Sequence, residues 1–358
     1  MVVVEFSPDV KLTGILRFTV QVIRALAMTS DVYLLLGLQF PNYKVPRSCQ
    51  VKLIKKGLTW SSFDEDFLDE IKSLPTFDIP RSEIERMTIF YPRWRPNRKY
   101  FAKEIGAILD CSPVMRSSDF VDPNSRYFLE FLKTSSKLND LTIAISDFTL
   151  QEVQSLVPFS SDKFKRIYPG PSFSPEDLRK STSKNMSARR KDRYCIFVGS
   201  LDPRKGIVEM LTWWNANRSN FGYSKFILVG SMPTWAPIEH KLMVAELLER
   251  SHGVFHTGAV RDAKVFDLLT KSSVLLYPSR YEGFGLPVCD ALFAGIKVLT
   301  SNQTSTKEFK KFGAILIDPE KPWHWNSALD NSSITPLAVE ELSSTFSWAN
   351  YASEIVNL

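Results

Sequence analysis

Cysteine is scarce. Cys49, Cys111, Cys195 and Cys289 stand at least sixty residues apart with no C-x-x-C spacing. That argues against a disulfide framework and against a zinc site, and makes a reducing, cytosolic setting the expectation. Histidine is as rare: His240, His252, His256 and His324 share no ligand spacing, so each reads as a surface or hydrogen-bonded structural side chain. Long apolar runs are missing too; the longest, such as residues 32–38, are of core-strand length, far from the roughly 20 residues that span a bilayer. The opening Met1-Val2-Val3-Val4-Glu5-Phe6 has no basic region and no small-residue cleavage site, and reads as a first buried strand rather than a signal peptide. Neither sign of charge dominates: 45 Lys and Arg against 39 Asp and Glu leave a net +6, a mild preference for anionic partners such as phosphates. Hydrophobic residues at 44% and charged residues at 23% are ordinary globular usage, which excludes a disordered, collagen-like or coiled-coil chain.

At roughly 150 residues per domain, 358 residues predict two domains. Short apolar runs alternate with helical patterns: residues 2–6, then 14–27, then 32–36, with further strand candidates at 88–90, 107–109 and 142–145, the last preceded by an amphipathic stretch over 125–138. Such alternation is the signature of parallel α/β layers. Around residues 172–193 the composition turns to Ser, Lys, Arg, Asn and Pro, which reads as a linker. Strand candidates then restart at 195–198, 226–229, 254–256, 274–277, 297–299 and 314–317. The expected domains are 1–175, a linker over 176–192, and 193–335, with residues 336–358 as a C-terminal helix. In such doubly wound sheets ligands sit outside the carboxyl ends of the strands, so the turns there are where chemistry belongs.

Two of those turns stand out. After Val198 comes Gly199-Ser200-Leu201-Asp202-Pro203-Arg204-Lys205-Gly206, whose adjacent cations can neutralise a diphosphate; taken alone, a solvated turn explains them as well. After Tyr277 comes Pro278-Ser279-Arg280-Tyr281-Glu282-Gly283-Phe284-Gly285-Leu286-Pro287, followed by a helical pattern. Its glycines let backbone approach a ligand, Pro287 fits the first position of a helix, and N–H groups at that helix start can bind phosphate. Glu282 beside such an anion site is suited to accept hydrogen bonds from sugar hydroxyls. Asp290, eight positions on, can hold a ribose diol or merely favour the helix dipole.

This second motif, with Val298-Leu299-Thr300-Ser301-Asn302 after it, resembles the signature of the retaining family 4 glycosyltransferases. The resemblance implies the GT-B fold: two Rossmann-like, doubly wound parallel-sheet domains facing a cleft, acceptor on the first and nucleotide-sugar donor on the second. It implies that Glu282 contacts the donor sugar, that Gly283, Phe284, Gly285 and Leu286 bind its phosphate, and that Asp290 stands where the family has a Glu on the ribose. Arg204 and Lys205 match the diphosphate-binding pair. Thr13-Gly14-Ile15 resembles the glycine turn that approaches the donor phosphates, residues 144–149 and 167–170 the crossing between domains, and Phe346-Ser347-Trp348 the final helix, which packs back toward the first domain. Base selection would come from turns such as Gly258-Ala259-Val260. Many relatives carry a His-Asp pair at a first-domain strand end where this chain has Leu109-Asp110: either the alignment slips, or Asp110 or an acceptor group fills the role, or the chain is slow or inactive as a transferase.

The implied function is a hexosyltransferase moving a sugar from a nucleotide-diphosphate donor, GDP-mannose first, to a glycan, polysaccharide or lipid-linked acceptor, with retention and with neither metal nor other cofactor. The alternative is an inactive nucleotide-sugar-binding protein. A cytoplasmic setting is expected, with peripheral membrane contact where the acceptor is lipid-linked. The basic and aromatic residues 91–100 read as an acceptor-side loop, a membrane-contacting loop or a solvated one. No nucleic-acid partner is expected, since Arg189-Arg190-Lys191 belongs to no long basic stripe.

Overall fold

The computed structural model describes residues 1–7, 14–37, 44–57, 61–93, 95–115, 125–157, 162–217, 222–330 and 339–357. Thr13, Trp94 and residues 336–338, named above, lie outside the described residues. The chain divides into two compact units, one made of Met1–Val114, Asn124–Ser172 and Phe346–Leu358, the other centred on Phe173–Thr345.

The first unit is built on β1 (Val2–Glu5), β2 (Val32–Leu35), β3 (Ser48–Ile54), β4 (Phe77–Pro80), β5 (Thr88–Tyr91), β6 (Lys103–Ile108), β7 (Leu141–Ala144) and β8 (Phe164–Arg166). They form one sheet in the order β4-β3-β2-β1-β5-β6-β7-β8. The sequence predicts a parallel sheet here, and this one is mixed: β3 runs antiparallel to β2, and β4 antiparallel to β3. The reason is visible in β3, where Ser48 and Gln50 are exposed and Cys49 and Val51 buried. A strand wetted on one face suits antiparallel pairing, and it lacks the continuous apolar run that marks a buried parallel strand. The helices Gly14–Ala27 and Ser125–Leu138 have the expected bounds.

The C-terminal segment is two helices rather than one, Val339–Thr345 and Trp348–Val356, and the second belongs to the first unit. Tyr351 stands edge-on to Phe18 and Phe90 at 5.4 and 6.3 Å, and the Trp348 indole donates to the Pro171 carbonyl at 2.7 Å.

Residues 91–100 are not a free basic loop. The Arg95 guanidinium is fully buried and pairs with the equally buried Glu104 at 2.6 Å, while donating to the Pro96 and Arg98 carbonyls at 2.9 and 3.2 Å and to the Asn139 side-chain oxygen. Glu104 in turn accepts from the Tyr100 and Phe101 N–H groups. Arg95 therefore organises the loop from inside rather than offering its charge to a ligand.

The second unit carries β9 (Tyr194–Val198), β10 (Lys225–Val229), β11 (Val254–His256), β12 (Val274–Tyr277), β13 (Lys297–Ser301) and β14 (Ile315–Ile317). Their order is β11-β10-β9-β12-β13-β14, every pairing parallel. The chain leaves β9 toward β10 on one side, and β12 takes the other, so the order reverses between β9 and β12. A crevice opens beyond the carboxyl ends of strands at such a reversal. Beneath it Trp213 and Trp214 pack on Trp325 and Phe226, at 5.8 and 5.6 Å.

The expected linker over 176–192 is instead the helix Pro175–Lys191, packed on the helices Asp262–Lys271 and Leu286–Phe293. Its start signals were present in Ser174-Pro175-Glu176-Asp177: Ser174 Oγ accepts from the Asp177 N–H at 3.4 Å, proline opens the helix, and two acids occupy the first turn. Polar composition hid it; Leu178 and Ser181 are among the side chains that seat it. Among the described residues no helix is long and apolar enough to cross a membrane.

Replacing Glu104 by Ala strands the Arg95 charge in the core, and we expect it to cost about 3–5 kcal/mol. A guanidinium titration followed by circular dichroism measures this; an unchanged midpoint would show that the pair does not hold the unit together.

Candidate functional site

The two turns at the reversal are each built by local rules. Past β9, Asp202 caps a 3-10 turn over Pro203–Lys205: its Oδ1 accepts from the Arg204 N–H at 3.1 Å and the Ser200 hydroxyl donates to Oδ2 at 2.6 Å. The Arg204 side chain folds back on the same carboxylate at 3.3 Å. Burial pushes the Asp202 carboxyl up, but Arg204 and Lys205 outweigh it and hold the group below the usual range.

Past β12, the chain reaches Gly285, whose φ of 106° lies in the left-handed region, and enters the helix Leu286–Phe293. Leu286 is thus the first helical residue, and Pro287 the second rather than the first; the first turn tolerates proline at either place because its N–H groups have no partner within the helix. The Val288 N–H closes on the Gly285 carbonyl at 2.9 Å. The N–H groups of Gly285 and Leu286 are then the ones a helix start leaves over for an anion.

These turns meet. The Arg280 N–H donates to the Arg204 carbonyl at 2.7 Å. Lys205 Nζ forms an ion pair with Glu282 Oε1 and donates to the Tyr277 hydroxyl at 3.2 Å. The Lys205 and Glu282 side chains are 10% and 12% exposed, which places the pair at the floor of the crevice with one edge open. Burial pulls the Lys205 ammonium down, yet Glu282, Tyr277 and Asp202 together more than offset this, so the lysine is held above its ordinary range. Burial, then Glu282, pushes the Tyr277 phenol up, keeping it a neutral hydroxyl. Its ring lies flat on Phe197, 5.6 Å between centroids and 18° between planes. The Ser305 hydroxyl is within 2.8 Å of the Glu282 carbonyl and 3.1 Å of the Phe284 carbonyl, tying the second turn from below.

The structure therefore brings Arg204, Lys205, Glu282, Gly283, Phe284, Gly285 and Leu286 together. The Phe284 side chain packs on Phe309 at 5.1 Å, so its ring is an anchor and its backbone the part left near a ligand. Asp290 lies inside the helix with 4% of its surface exposed. Val260 is half-buried in the turn after β11, near which the Gly230 N–H donates to the Gly258 carbonyl at 2.9 Å. Gly230 has no freedom to vary, because a Cβ there would lie 1.9 Å from the Gly199 carbonyl oxygen. His256 Nε2 sits 2.8 Å from the Gly230 carbonyl and His240 Nε2 2.9 Å from that of Leu201, so both histidines are hydrogen-bonded.

Gly14 and Asp110 belong to the first unit. Gly14 opens its helix with open space where a Cβ would stand. Asp110 accepts from the Ser112 N–H and hydroxyl at 2.8 and 2.5 Å, at the start of the helix Ser112–Met115. Asp202 and Tyr277 were missed as members of the site. The Asp-Pro step before Arg204 was the cap signal for the first; nothing local marks the second.

Residues 179–332 match the family model of the glycosyl transferases group 1. Those residues form a glycosyl transferases group 1 domain. An O-antigen chain mannosyltransferase B of Escherichia coli is 23% identical over 304 residues, 82% of this chain and 74% of that protein. A serotype-specific mannosyltransferase WbdA of the same species is 24% identical over 257 residues, 68% of this chain, which spans about a third of that longer relative, 31% of its length. A UDP-forming α,α-trehalose-phosphate synthase of Burkholderia xenovorans superposes with a TM-score of 0.65 over 99% of this chain and 98% of its own, at 10% identity. The fold is GT-B, with a Rossmann-like sheet in each unit.

A Cβ on Gly285 would stand 3.0 Å from the Thr306 methyl at a φ that side chains rarely adopt. Gly285→Ala is expected to destabilise the enzyme by about 1–3 kcal/mol, read as a shift in its denaturant midpoint; an unshifted midpoint would mean that the turn relaxes freely.

Proposed function

We propose that this glycosyltransferase moves mannose from GDP-mannose to a glycan, polysaccharide or lipid-linked acceptor, with retention at the sugar carbon and without a metal. What carries the reading is the Lys205–Glu282 pair at the floor of the crevice, beside the Gly285–Leu286 helix start. A cation and helix N–H groups suit a diphosphate, and a carboxylate suits the hydroxyls of the sugar attached to it. The names of the relatives support mannose and an O-antigen-type polysaccharide.

In the step we propose, the bond from the sugar's anomeric carbon to the diphosphate oxygen breaks and the acceptor oxygen bonds to that carbon on the same face. The acceptor's proton passes to the departing phosphate. Negative charge grows on the diphosphate, where Lys205, Arg204 and the helix start stabilise it in place, as preorganised dipoles and charges do. In the free enzyme Lys205 is held by Glu282; with donor bound, the phosphate takes over the ammonium and the sugar hydroxyls take over the carboxylate.

Calorimetry with GDP, UDP, ADP and TDP tests the reading. GDP is expected to bind selectively, and an Arg204→Ala, Lys205→Ala double variant to bind it at least about ten-fold more weakly, since hydrogen bonds to charged groups contribute about 1.5–3 kcal/mol. Glu282→Gln, which frees the ammonium, is expected to hold GDP no more weakly than the wild type while transfer from GDP-mannose falls about 100-fold. Transfer should survive EDTA. Binding of none of the four nucleotides would sink the donor reading, and loss of transfer in EDTA would sink the metal-free one.

A further inference from the structure

Arg280 is a cation in the middle of the donor motif, yet its charge is turned away from the ligand. Its Nη2 and Nη1 reach the two carboxylate oxygens of Glu209 at 2.6 and 3.3 Å, its Nε reaches Glu320 at 2.6 Å, and Nη1 lies 3.4 Å from the Pro203 carbonyl. Two carboxylates on one guanidinium leave it no surplus charge to offer a phosphate. What it does instead follows from where its partners sit. Pro203 is part of the Arg204–Lys205 turn, Glu209 is in the first turn of the helix Ile207–Asn217 that follows it, and Glu320 comes after β14. The Arg280 main chain adds a bond to the Arg204 carbonyl at 2.7 Å, and the Ser279 hydroxyl lies 3.2 Å from the same carbonyl.

Resting on the donor-site reading above, we propose that Arg280 is a positioning residue that sets the Arg204–Lys205 turn in register with the Glu282 turn, and so fixes where Lys205 meets the nucleotide diphosphate. The side chain is suited to this. Its planar fork holds Glu209 through two bonds and still has Nε for Glu320, a span in one plane that the single ammonium of a lysine cannot reproduce. With the guanidinium gone, the main-chain bond remains as a hinge, about which the turn can tilt and carry Lys205 off its line.

A residue acting through Lys205 is recognised by coupling. GDP and UDP are titrated calorimetrically, up to millimolar nucleotide, into the wild type, Arg280→Ala, Lys205→Ala and the double variant. Arg280→Ala is expected to weaken the better-binding nucleotide about ten-fold in the wild-type background and less than about two-fold once Lys205 is absent. Arg280→Lys should behave as Arg280→Ala. Equal losses in both backgrounds, no loss in the wild-type background, or full binding by Arg280→Lys would each overturn the proposal. Were Arg280→Ala not to fold, Glu320→Ala, which removes one arm of the fork at a side chain 57% exposed, takes its place in the cycle. A loss that needs Lys205 is again expected, and equal losses in both backgrounds, or none, would again overturn the proposal. Absence of nucleotide binding by the wild type would instead overturn the donor reading itself.

Discussion

A lone charge at the end of a buried parallel strand is expensive, because desolvation of an ammonium or a carboxylate costs more than any single neutral contact returns. Lys205 and Glu282 escape that cost by standing together between the ends of β9 and β12. The free site is therefore close to neutral, although it holds both a cation and an anion. This matters for a donor that carries phosphate at one end and hydroxyls at the other. On the donor reading proposed above, each member of the pair exchanges its partner for the matching part of the ligand, so that binding replaces one set of charge-assisted hydrogen bonds by another rather than stripping water from bare ions. The surrounding turns are built to keep the two side chains at contact distance. Asp202 caps one turn, Gly285 opens the helix of the other, and Tyr277, held flat on Phe197, gives Lys205 a neutral second partner.

The sheet order explains why this happens where it does. Six parallel strands require every connection to cross back over the sheet, which gathers the turns after β9, β10, β11 and β12 along one edge. Between β9 and β12 the crossings diverge to opposite sides and leave room. Gly230 shows how closely the neighbouring turns are pressed, since its backbone occupies space in which no side chain fits beside Gly199. The catalytic reading thus rests on topology first and on residue identity second.

Much of that topology was legible in the sequence. Runs such as Cys195-Ile196-Phe197-Val198 and Val274-Leu275-Leu276-Tyr277 are buried on both faces and read at once as parallel strands. The paired turns were legible because glycine, proline and adjacent cations are local signals. What could not be read depends on distant partners or on half-solvated patterns. β3 begins with alternating exposed and buried residues, and the helix Pro175–Lys191 is polar in composition. The burial of Arg95 within residues 91–100 could not be read locally because the carboxylate that pairs with it lies on β6. The partners of Arg280 are equally distant: Glu209 lies 71 positions before it and Glu320 40 after.

Arg204 and Lys205 are adjacent in the chain but not equivalent. The Arg204 guanidinium lies on the Asp202 carboxylate that caps its own turn, so a large part of its charge is engaged in local geometry. Lys205 is paired instead with a group from the turn after β12, 77 positions away, through one compact ammonium. A guanidinium can hold the capping carboxylate and still present a further N–H, because its donors fan out in a plane; an ammonium concentrates its charge at a point and changes partner by rotation about its stem. On the donor reading proposed above, the arginine steadies the turn and the lysine exchanges partners. Swapping the two residues would preserve the charge of the turn while removing that division.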